Sequence, residues 1–434
     1  MDESPLERRP RRPTRQWVVP PGLQPTDEPF PGYRVLEEVR TGLGVALWQF
    51  LRDADLWSTA PPGERNRLFL PGAARRRRER MHALEQAREL RRPLEALSRA
   101  LDARKRNSGV QVMRACKAVS RWAGEKGLQR TALAFAQSAA IATPDRAAPA
   151  YMVGLLSRRN AEYRRAETWF RRTLGLARRN EDWRYYGLAC IGVGNLHRQR
   201  GDYPRARAWF IRALRTSRRK ALWDVRPMAM HDLFCVAANG GQSEDADAWA
   251  QRAFRAYGPQ HPRVVALAHD VALYWLRQER YGDALRVFRA VLPHMERVPE
   301  QRVVTSNMAR ATAALGDRLA FAGLWHETWR MVDQHDDGEE VAYALVTLAE
   351  GAAMLGDPDR GQLAASHALK IAIQRDEAEH RLAAERVLES LRTVRMGVVI
   401  KPQPRAEETP GAEPDFATEL VDALNGEFAA DLVD

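Results

Sequence analysis

Apolar residues follow a helical pattern between residues 192 and 214, where the sequence reads GVGNLHRQRGDYPRARAWFIRAL. Ala206, Phe210 and Leu214 are four residues apart, the spacing that places side chains on one face of an α-helix. The Gly201-Asp202-Tyr203 break lies before this helix and predicts a tight turn. The segment therefore predicts two helices joined as a hairpin.

Weaker copies of this hairpin occur on both sides of it. The residue at the place of Ala206 serves as a marker, and successive markers lie 34, 40, 40, 38, 37 and 40 residues apart. Such self-similarity predicts a repeat array in which each hairpin buries its apolar face only against its neighbours. Because one marker is a phenylalanine, we expect altered packing in that hairpin. The seven markers are Ala132, Ala166, Ala206, Ala246, Ala284, Phe321 and Gly361.

These hairpins resemble the tetratricopeptide repeat, and the likeness covers residues 113–376. That family needs a small residue where its two helices cross, as at Gly194, and a large aromatic residue beside it, as at Phe210. The resemblance implies an all-α fold, a right-handed α-solenoid of about seven helical hairpins with a helical N-terminal cap. Repeats of about forty residues are similar to those of bacterial scaffold and adaptor proteins of this family. The resemblance implies that this chain binds proteins or peptides and is not an enzyme.

The segments outside the array differ in composition. Residues 1–32 are rich in proline and arginine and have no apolar periodicity, which predicts disorder. Residues 33–106 have apolar residues at helical spacing and predict a helical N-terminal cap or a small helical domain. Residues 378–395 predict an amphipathic helix that caps the end of the array. Residues 401–434 form an acidic linker and C-terminal tail.

The tail ends in DFATELVDALNGEFAADLVD, which has an apolar stripe of Phe416, Leu420 and Leu424. This spacing predicts a short amphipathic helix, joined to the array by a linker over residues 401–414. Three outcomes are open: the tail folds back onto a groove of the array, docks on a second copy or a partner, or stays disordered. Self-association through the tail follows from the second outcome.

Charge is distributed unevenly along the chain. The formal net charge is +12, and 62 of the 68 basic residues are arginine. Residues 113–225 hold 24 basic and 8 acidic residues, whereas residues 226–400 hold 20 and 24. Residues 401–434 hold 2 basic and 9 acidic residues. Such asymmetry steers an acidic partner towards the first half of the array.

The resemblance also implies where a partner binds. In tetratricopeptide folds the first helices of successive hairpins line the concave face, and their outward side chains meet the ligand. In this sequence the rule selects a mostly basic set, which suits an acidic peptide. Solvated arginine is the plain alternative, because arginine is so abundant in the chain. The candidate ligand-binding residues are Arg114, Lys117, Arg121, Tyr151, Arg158, Arg159, Asn195 and Arg198.

Sequence signatures of catalysis are missing. No GxxxxGK[ST] phosphate loop, GxSxG nucleophile motif or HExxH metal motif occurs. Cys116, Cys190 and Cys235 are far apart and lack CxxC or Cys/His ligand spacing, which predicts neither zinc nor disulfides. No stretch approaches the roughly 18 apolar residues of a membrane span. We expect a non-enzymatic, cytoplasmic protein with no cofactor, no metal and no membrane partner.

Three functions compete for this sequence. The leading one is a scaffold or adaptor that binds a protein or peptide on the concave face of the array. The first alternative is a nucleic-acid-associated basic protein, but the chain has no helix-turn-helix, RRM or OB signature and no aromatic residues interleaved with basic ones. Any nucleic-acid binding should therefore be non-specific. The second alternative is a regulatory subunit or peptide-sensing receptor of a signalling or enzyme complex, which the sequence does not separate from a scaffold.

Overall fold

All regular structure in the described part of the chain is helical, which confirms the all-α prediction. No strand occurs in these residues. The predicted disorder of residues 1–32 falls outside them, apart from Gly32, and so does the linker over 401–414. The computed structural model describes residues 32–61, 63–69, 71–82, 88–102, 108–240, 243–334, 340–395 and 415–426.

The chain divides into two compact units, residues 1–220 and residues 221–434. Unit 1 begins with five helices of the N-terminal region: α1 (Tyr33–Glu38), α2 (Gly42–Thr59), α3 (Arg65–Leu68), α4 (Pro71–His82) and α5 (Arg88–Asp102). Three hairpins follow: α6 (Ser108–Glu125) with α7 (Gln129–Ala142), α8 (Ala147–Arg159) with α9 (Tyr163–Arg179), and α10 (Trp183–Gln199) with α11 (Tyr203–Arg219).

Unit 2 contains four further hairpins and two single helices. The hairpins are α12 (Val225–Asn239) with α13 (Ser243–Tyr257), α14 (Val264–Arg277) with α15 (Tyr281–Val291), α16 (Val298–Ala314) with α17 (Arg318–Gln334), and α18 (Val341–Met354) with α19 (Pro358–Gln374). The single helices are α20 (Ala378–Arg395), which packs on α19, and α21 (Phe416–Asn425). The described residues therefore hold the seven hairpins that the repeat spacing predicts, but with a boundary between the third and the fourth.

Three hairpin turns are built from the same Gly-Asp pair. Gly201, Gly316 and Gly356 have φ angles of 73°, 79° and 68°, a left-handed conformation that glycine adopts without strain. The aspartate that follows each glycine accepts a hydrogen bond from the backbone N–H three residues later, at 3.2, 2.9 and 3.1 Å. One dipeptide thus ends one helix and caps the next.

The helices of the α10–α11 hairpin cross at a glycine. A Cβ atom on Gly194 would lie 2.4 Å from the Cε1 atom of Phe210, closer than carbon atoms pack. Phe170 meets two glycines in the same way, since a Cβ on Gly154 or Gly192 would lie 2.7 or 2.6 Å from its ring. Both rings are fully buried. Each aromatic ring therefore fills the space that a missing side chain leaves on a neighbouring helix.

Phe321 occupies the marker position that is small in the other hairpins. Its ring is buried and lies against α18, where a Cβ on Gly351 would be 3.0 Å from it. The ring centroid of Trp325, one turn further along α17, is 5.8 Å away. The large side chain of Phe321 fits because a glycine, Gly351, lies opposite it on the first helix of the next hairpin.

The N-terminal helices share a hydrophobic core with the first hairpin. Leu94 of α5 and Cys116 of α6 belong to one buried cluster. The carboxylate of Glu38, the last residue of α1, accepts hydrogen bonds from the backbone N–H groups of residues 130 and 131 at 3.1 and 2.7 Å. These groups have no partner inside α7, so Glu38 caps that helix. The N-terminal region and the first hairpin are therefore one packed body.

One arginine of the basic run 75–78 is buried in this body. Arg77 is 4% exposed, and its Nη1 and Nη2 atoms lie 2.9 Å from Oδ2 of Asp53 and 2.5 Å from Oδ1 of Asp102. The guanidinium also lies over the ring of Phe69, 4.6 Å from its centroid. A buried cation requires such pairing because removal from water is costly. The basic run 75–78 is therefore not exposed to solvent at every position.

The substitution Gly194→Ala tests the helix crossing. The added methyl group would overlap Phe210, so we expect the free energy of unfolding to fall by about 1–3 kcal/mol. Gly323 of α17 is the matched control, because nothing lies within 4 Å of the Cβ position there. Gly323→Ala should raise the free energy of unfolding by about 0.5–1 kcal/mol, since alanine is the better helix former. Urea denaturation measures both, and equal shifts would show that the crossing is not tight.

Asp55 makes the stability of unit 1 depend on pH. Burial raises the pKa of Asp55 to about 6, although a hydrogen bond from Ser138 opposes the shift. The folded state therefore favours the protonated carboxyl, and this contribution is complete below about pH 4 and is lost as pH rises through 6. Asp55→Asn should stabilise the chain by about 1–3 kcal/mol at pH 7.5 and have little effect at pH 4. Denaturant midpoints at both pH values test this, with the exposed Asp145→Asn as control, which should show no such difference.

Candidate functional site

The predicted basic residues of α6 lie in the solvent. Arg114 and Lys117 are exposed, and within the described chain neither has an ion-pair or hydrogen-bond partner. Arg121 is also exposed, but its Nε atom lies 2.9 Å from Oε1 of Glu125, four residues on. No ion pair or hydrogen bond links these three side chains to α8 or α10 in the described residues. Among the described residues, Arg114 and Lys117 are therefore two uncompensated cations, one turn apart on the first helix of the first hairpin.

The candidates on α8 are divided between surface and interior. Arg159 is exposed, and Arg158 is half-buried. Tyr151 is half-buried, and its ring centroid lies 5.9 Å from that of Phe170 and 5.8 Å from that of Tyr185 on α10. Tyr151 therefore joins the second and third hairpins through ring packing.

The two candidates on α10 contact each other. Asn195 is only 8% exposed, and its Oδ1 atom accepts a hydrogen bond from Nε of Arg198 at 3.1 Å. Arg198 is half-buried. The side chain of Asn195 therefore holds the guanidinium of Arg198 in place.

Two first helices of unit 2, α16 and α18, are joined by a compensated charge pair instead. Nη1 of Arg310 on α16 lies 2.9 Å from Oε2 of Glu350 on α18. Burial raises the pKa of Glu350, and the nearby guanidinium opposes that shift. The hydroxyl of Tyr343 donates to Oδ1 of Asn307 at 3.0 Å. The Arg310–Glu350 ion pair and the Tyr343–Asn307 hydrogen bond thus both join α16 to α18.

A polar cluster links α12 and α14. His231 Nε2 lies 3.0 Å from Oδ2 of Asp270, Cys235 Sγ lies 3.7 Å from the same oxygen, and His269 Nδ1 lies 3.5 Å from Oδ1. Burial would raise the pKa of Asp270, but hydrogen bonds and charge from the two histidines outweigh it and hold the pKa below its usual range. The Asp270 carboxylate therefore stays ionised at neutral pH.

Three groups of this cluster could hold a metal ion. One nitrogen of His231, the sulfur of Cys235 and one oxygen of Asp270 all lie within 4.8 Å of one another, and these are ligand types that transition metals accept. The sequence places His231 and Cys235 at the i, i+4 spacing of neighbours on a helix face, but does not show that Asp270 lies beside them. Each group already has a partner inside the cluster, which therefore also serves as a link between two hairpins.

Helix α21 packs in a groove of unit 2 formed by α13, α14 and α15, which we call the tail groove. The ring of Phe416 meets Phe254 and Trp275 edge to face, with centroids 5.8 and 6.0 Å apart. Leu420 is fully buried, and Leu424 is 8% exposed. The three apolar residues of the predicted stripe thus face the array.

Polar contacts hold both ends of α21. Nη1 of Arg286 lies 3.0 Å from Oδ2 of Asp415, and its Nη2 donates to the hydroxyl of Thr418 at 2.6 Å. Nε2 of His294 donates to the carbonyl oxygen of Leu424 at 3.0 Å. Asp415 also caps the helix by accepting from the N–H of Ala417 at 2.5 Å. Because Arg286 precedes His294, α21 runs parallel to α15.

Residues 189–222 match the family model for the tetratricopeptide repeat. They cover most of α10, all of α11 and the turn at Gly201, including the crossing of Gly194 and Phe210. Residues 189–222 are similar to a tetratricopeptide repeat. Other hairpins share its construction, since Gly154 meets Phe170 in the second one and Gly-Asp turns recur in the sixth and seventh. These hairpins are tetratricopeptide-like.

Solved structures with a similar arrangement of helices are distant in sequence. A chain of the APC/C hetero-tetramer Cut9-Hcn1 is 12% identical with a TM-score of 0.45, and the match covers 80% of this chain and 62% of that one. Yeast Tom70 is 12% identical with a TM-score of 0.40, covering 84% and 83%. The TPR2AB-domain:pHSP90 complex of yeast Sti1 is 12% identical with a TM-score of 0.25, covering 64% and 98%.

None of these likenesses is close enough to transfer a function to this chain. No curated protein sequence matches it. The chain spans less than two thirds of the Cut9-Hcn1 chain that it resembles. None of the helices that the structure describes is long and apolar enough to cross a membrane.

Amide hydrogen exchange measures the docking of α21. A ten-residue helix is marginal alone in water, so we expect its amides to exchange at least ~10-fold more slowly than random coil only while it is docked. Leu420→Asp puts a charge into the apolar contact and should restore random-coil rates. Leu319→Asp, the same change at an 86% exposed leucine, is the control and should leave α21 protected. Random-coil rates in the wild-type chain would contradict docking.

Proposed function

We propose that the chain is a non-enzymatic scaffold or adaptor that binds an acidic segment of another protein along the first helices of unit 1. The binding residues are those chosen from the sequence, with Arg114 and Lys117 at the centre. Arg159 and Arg198 extend the basic surface, and Asn195 orients Arg198. The partner is held by charge and hydrogen bonds, without covalent chemistry and without a cofactor.

The observation that carries this proposal is the unpaired state of Arg114 and Lys117. Both are exposed one turn apart on α6, and no acidic side chain of the described residues compensates them. Like charges so placed on a helix cost a few tenths of a kcal/mol, and an anion between them removes this cost. The charge excess of residues 113–225 favours an acidic partner further.

The packing of Tyr151 favours a protein segment over nucleic acid. Proteins that bind single strands stack bases on accessible aromatic rings beside basic residues. Tyr151 is the aromatic residue of the candidate set, but its ring is packed against those of Phe170 and Tyr185. A regulatory subunit or a peptide-sensing receptor would use the same basic surface, and the identity of the bound segment would separate these roles from a scaffold.

Charge reversal on α6 tests the proposal. Twelve-residue peptides are selected on the full-length chain from a random phage-displayed library, and we expect them to be rich in aspartate and glutamate. Arg114→Glu with Lys117→Glu should weaken their binding at least ~10-fold, which is about 1.4 kcal/mol. Arg207→Glu with Arg218→Glu, on the exposed surface of α11, makes the same change in net charge and should weaken it less than ~3-fold.

Two results would contradict the proposal. Equal losses in both double variants would show that the peptides respond only to net charge. Binding of a 30-base-pair DNA duplex tighter than about 1 μM at physiological salt would favour the nucleic-acid alternative, since non-specific binding is weaker than that. Fluorescence anisotropy with labelled peptide and labelled duplex measures both.

A further inference from the structure

The tail groove holds α21 by features that any suitable helix can supply. Phe416, Leu420 and Leu424 are at positions i, i+4 and i+8, which form one stripe on a helix. Phe254 and Trp275 come from two different hairpins and form an aromatic site for the first of these residues. The groove therefore recognises an aromatic residue followed by two leucines at helical spacing.

The ends of the groove determine the direction of the bound helix. Arg286 contacts the carboxylate of Asp415 at the N-terminal end, and His294 contacts a backbone carbonyl at the C-terminal end. A helix bound in reverse would place its carbonyl groups at Arg286 and lose the ion pair. The tail segment 415–426 carries three acidic residues and no basic one, which fits this basic end.

The attachment of α21 makes it a tethered occupant. Nineteen residues separate Arg395, at the end of α20, from Asp415. A connection of this length holds its two ends at an effective concentration in the millimolar range. If the free tail bound with a dissociation constant of about 50 μM, the tether would make an outside helix bind roughly 20-fold more weakly. Docking of this kind leaves the groove available to a stronger ligand.

We propose that the tail groove is a binding site for an acidic amphipathic helix of a partner protein, and that α21 is a tethered substitute which that helix displaces. This inference concerns unit 2 and is independent of the proposed function of unit 1. The partner helix has an acidic N-cap residue, then an aromatic residue, then leucines four and eight positions later. This is helix-in-groove recognition, in which spaced apolar anchors provide the affinity.

A labelled peptide with the sequence of residues 415–426 is the probe for the groove. In the full-length Leu420→Asp chain the groove is empty, so the peptide should bind at least ~10-fold more tightly than it binds the wild-type chain. Leu319→Asp is the control and should behave as wild type. In the Leu420→Asp chain, the further change Arg286→Glu should weaken binding. The peptide change Asp415→Arg should recover part of this loss, because arginine restores the ion pair but cannot accept the capping hydrogen bond from Ala417.

Cleavage of the connection tests displacement without a substitution in the groove. A protease site is placed between residues 401 and 414 of the full-length chain, and the folded protein is cut and diluted to about 1 μM. We expect the released tail fragment to separate from the body on gel filtration. The empty groove should then bind the labelled peptide as the Leu420→Asp chain does.

Three results would overturn the proposal. In the first, the peptide binds the Leu420→Asp chain no more tightly than it binds the wild-type chain. In the second, the cut tail fragment stays bound to the body at 1 μM and does not exchange with the peptide. In either case α21 is a permanent part of the fold. The third result is a wild-type dimer, seen by analytical ultracentrifugation, that Leu420→Asp converts to monomer, because the occupant would then be the tail of a second copy.

Discussion

The fold depends on the close approach of an aromatic ring to a glycine backbone where two helices cross. Phe210 lies so near Gly194, and Phe170 so near Gly154 and Gly192, that no side chain fits between them. Because Phe170 touches glycines in two successive hairpins, this contact fixes both the angle inside one hairpin and its stacking on the next. The sixth hairpin keeps the principle with other residues, since Phe321 is large and Gly351 of α18 provides the space.

Arginine has different roles in different parts of the chain, although it looks uniform in the sequence. Arg77 is buried between two carboxylates and holds the N-terminal helices together. Arg310 joins two hairpins through Glu350, and Arg286 holds the end of α21. Arg114 and Lys117 differ from these three, because no acidic side chain among the described residues pairs with them, and we propose that their charge serves another molecule.

The sequence is informative where structure is determined by neighbours in the chain. The Gly201-Asp202 turn could be predicted because glycine supplies the left-handed residue and aspartate supplies the cap within one dipeptide. The apolar stripe of the tail could be predicted from helical spacing alone, but its site could not, because Phe254 and Trp275 are more than a hundred residues away. The burial of Arg77 could not be predicted from the sequence for the same reason, since its partners Asp53 and Asp102 lie 24 and 25 residues from it. The helical spacing of Asn195 predicted which face of α10 it lies on, but could not predict that its side chain is 8% exposed.

The contact of α21 with α13 and with the α14–α15 hairpin has a mechanical consequence for unit 2. A stack of hairpins is elastic, because each hairpin contacts only its neighbours and each interface between them can bend by a small angle. A helix that is attached to two successive hairpins resists bending at the joint they share. This joint is therefore stiffer with α21 bound than without it. The occupant of the tail groove thus determines how far unit 2 extends under force.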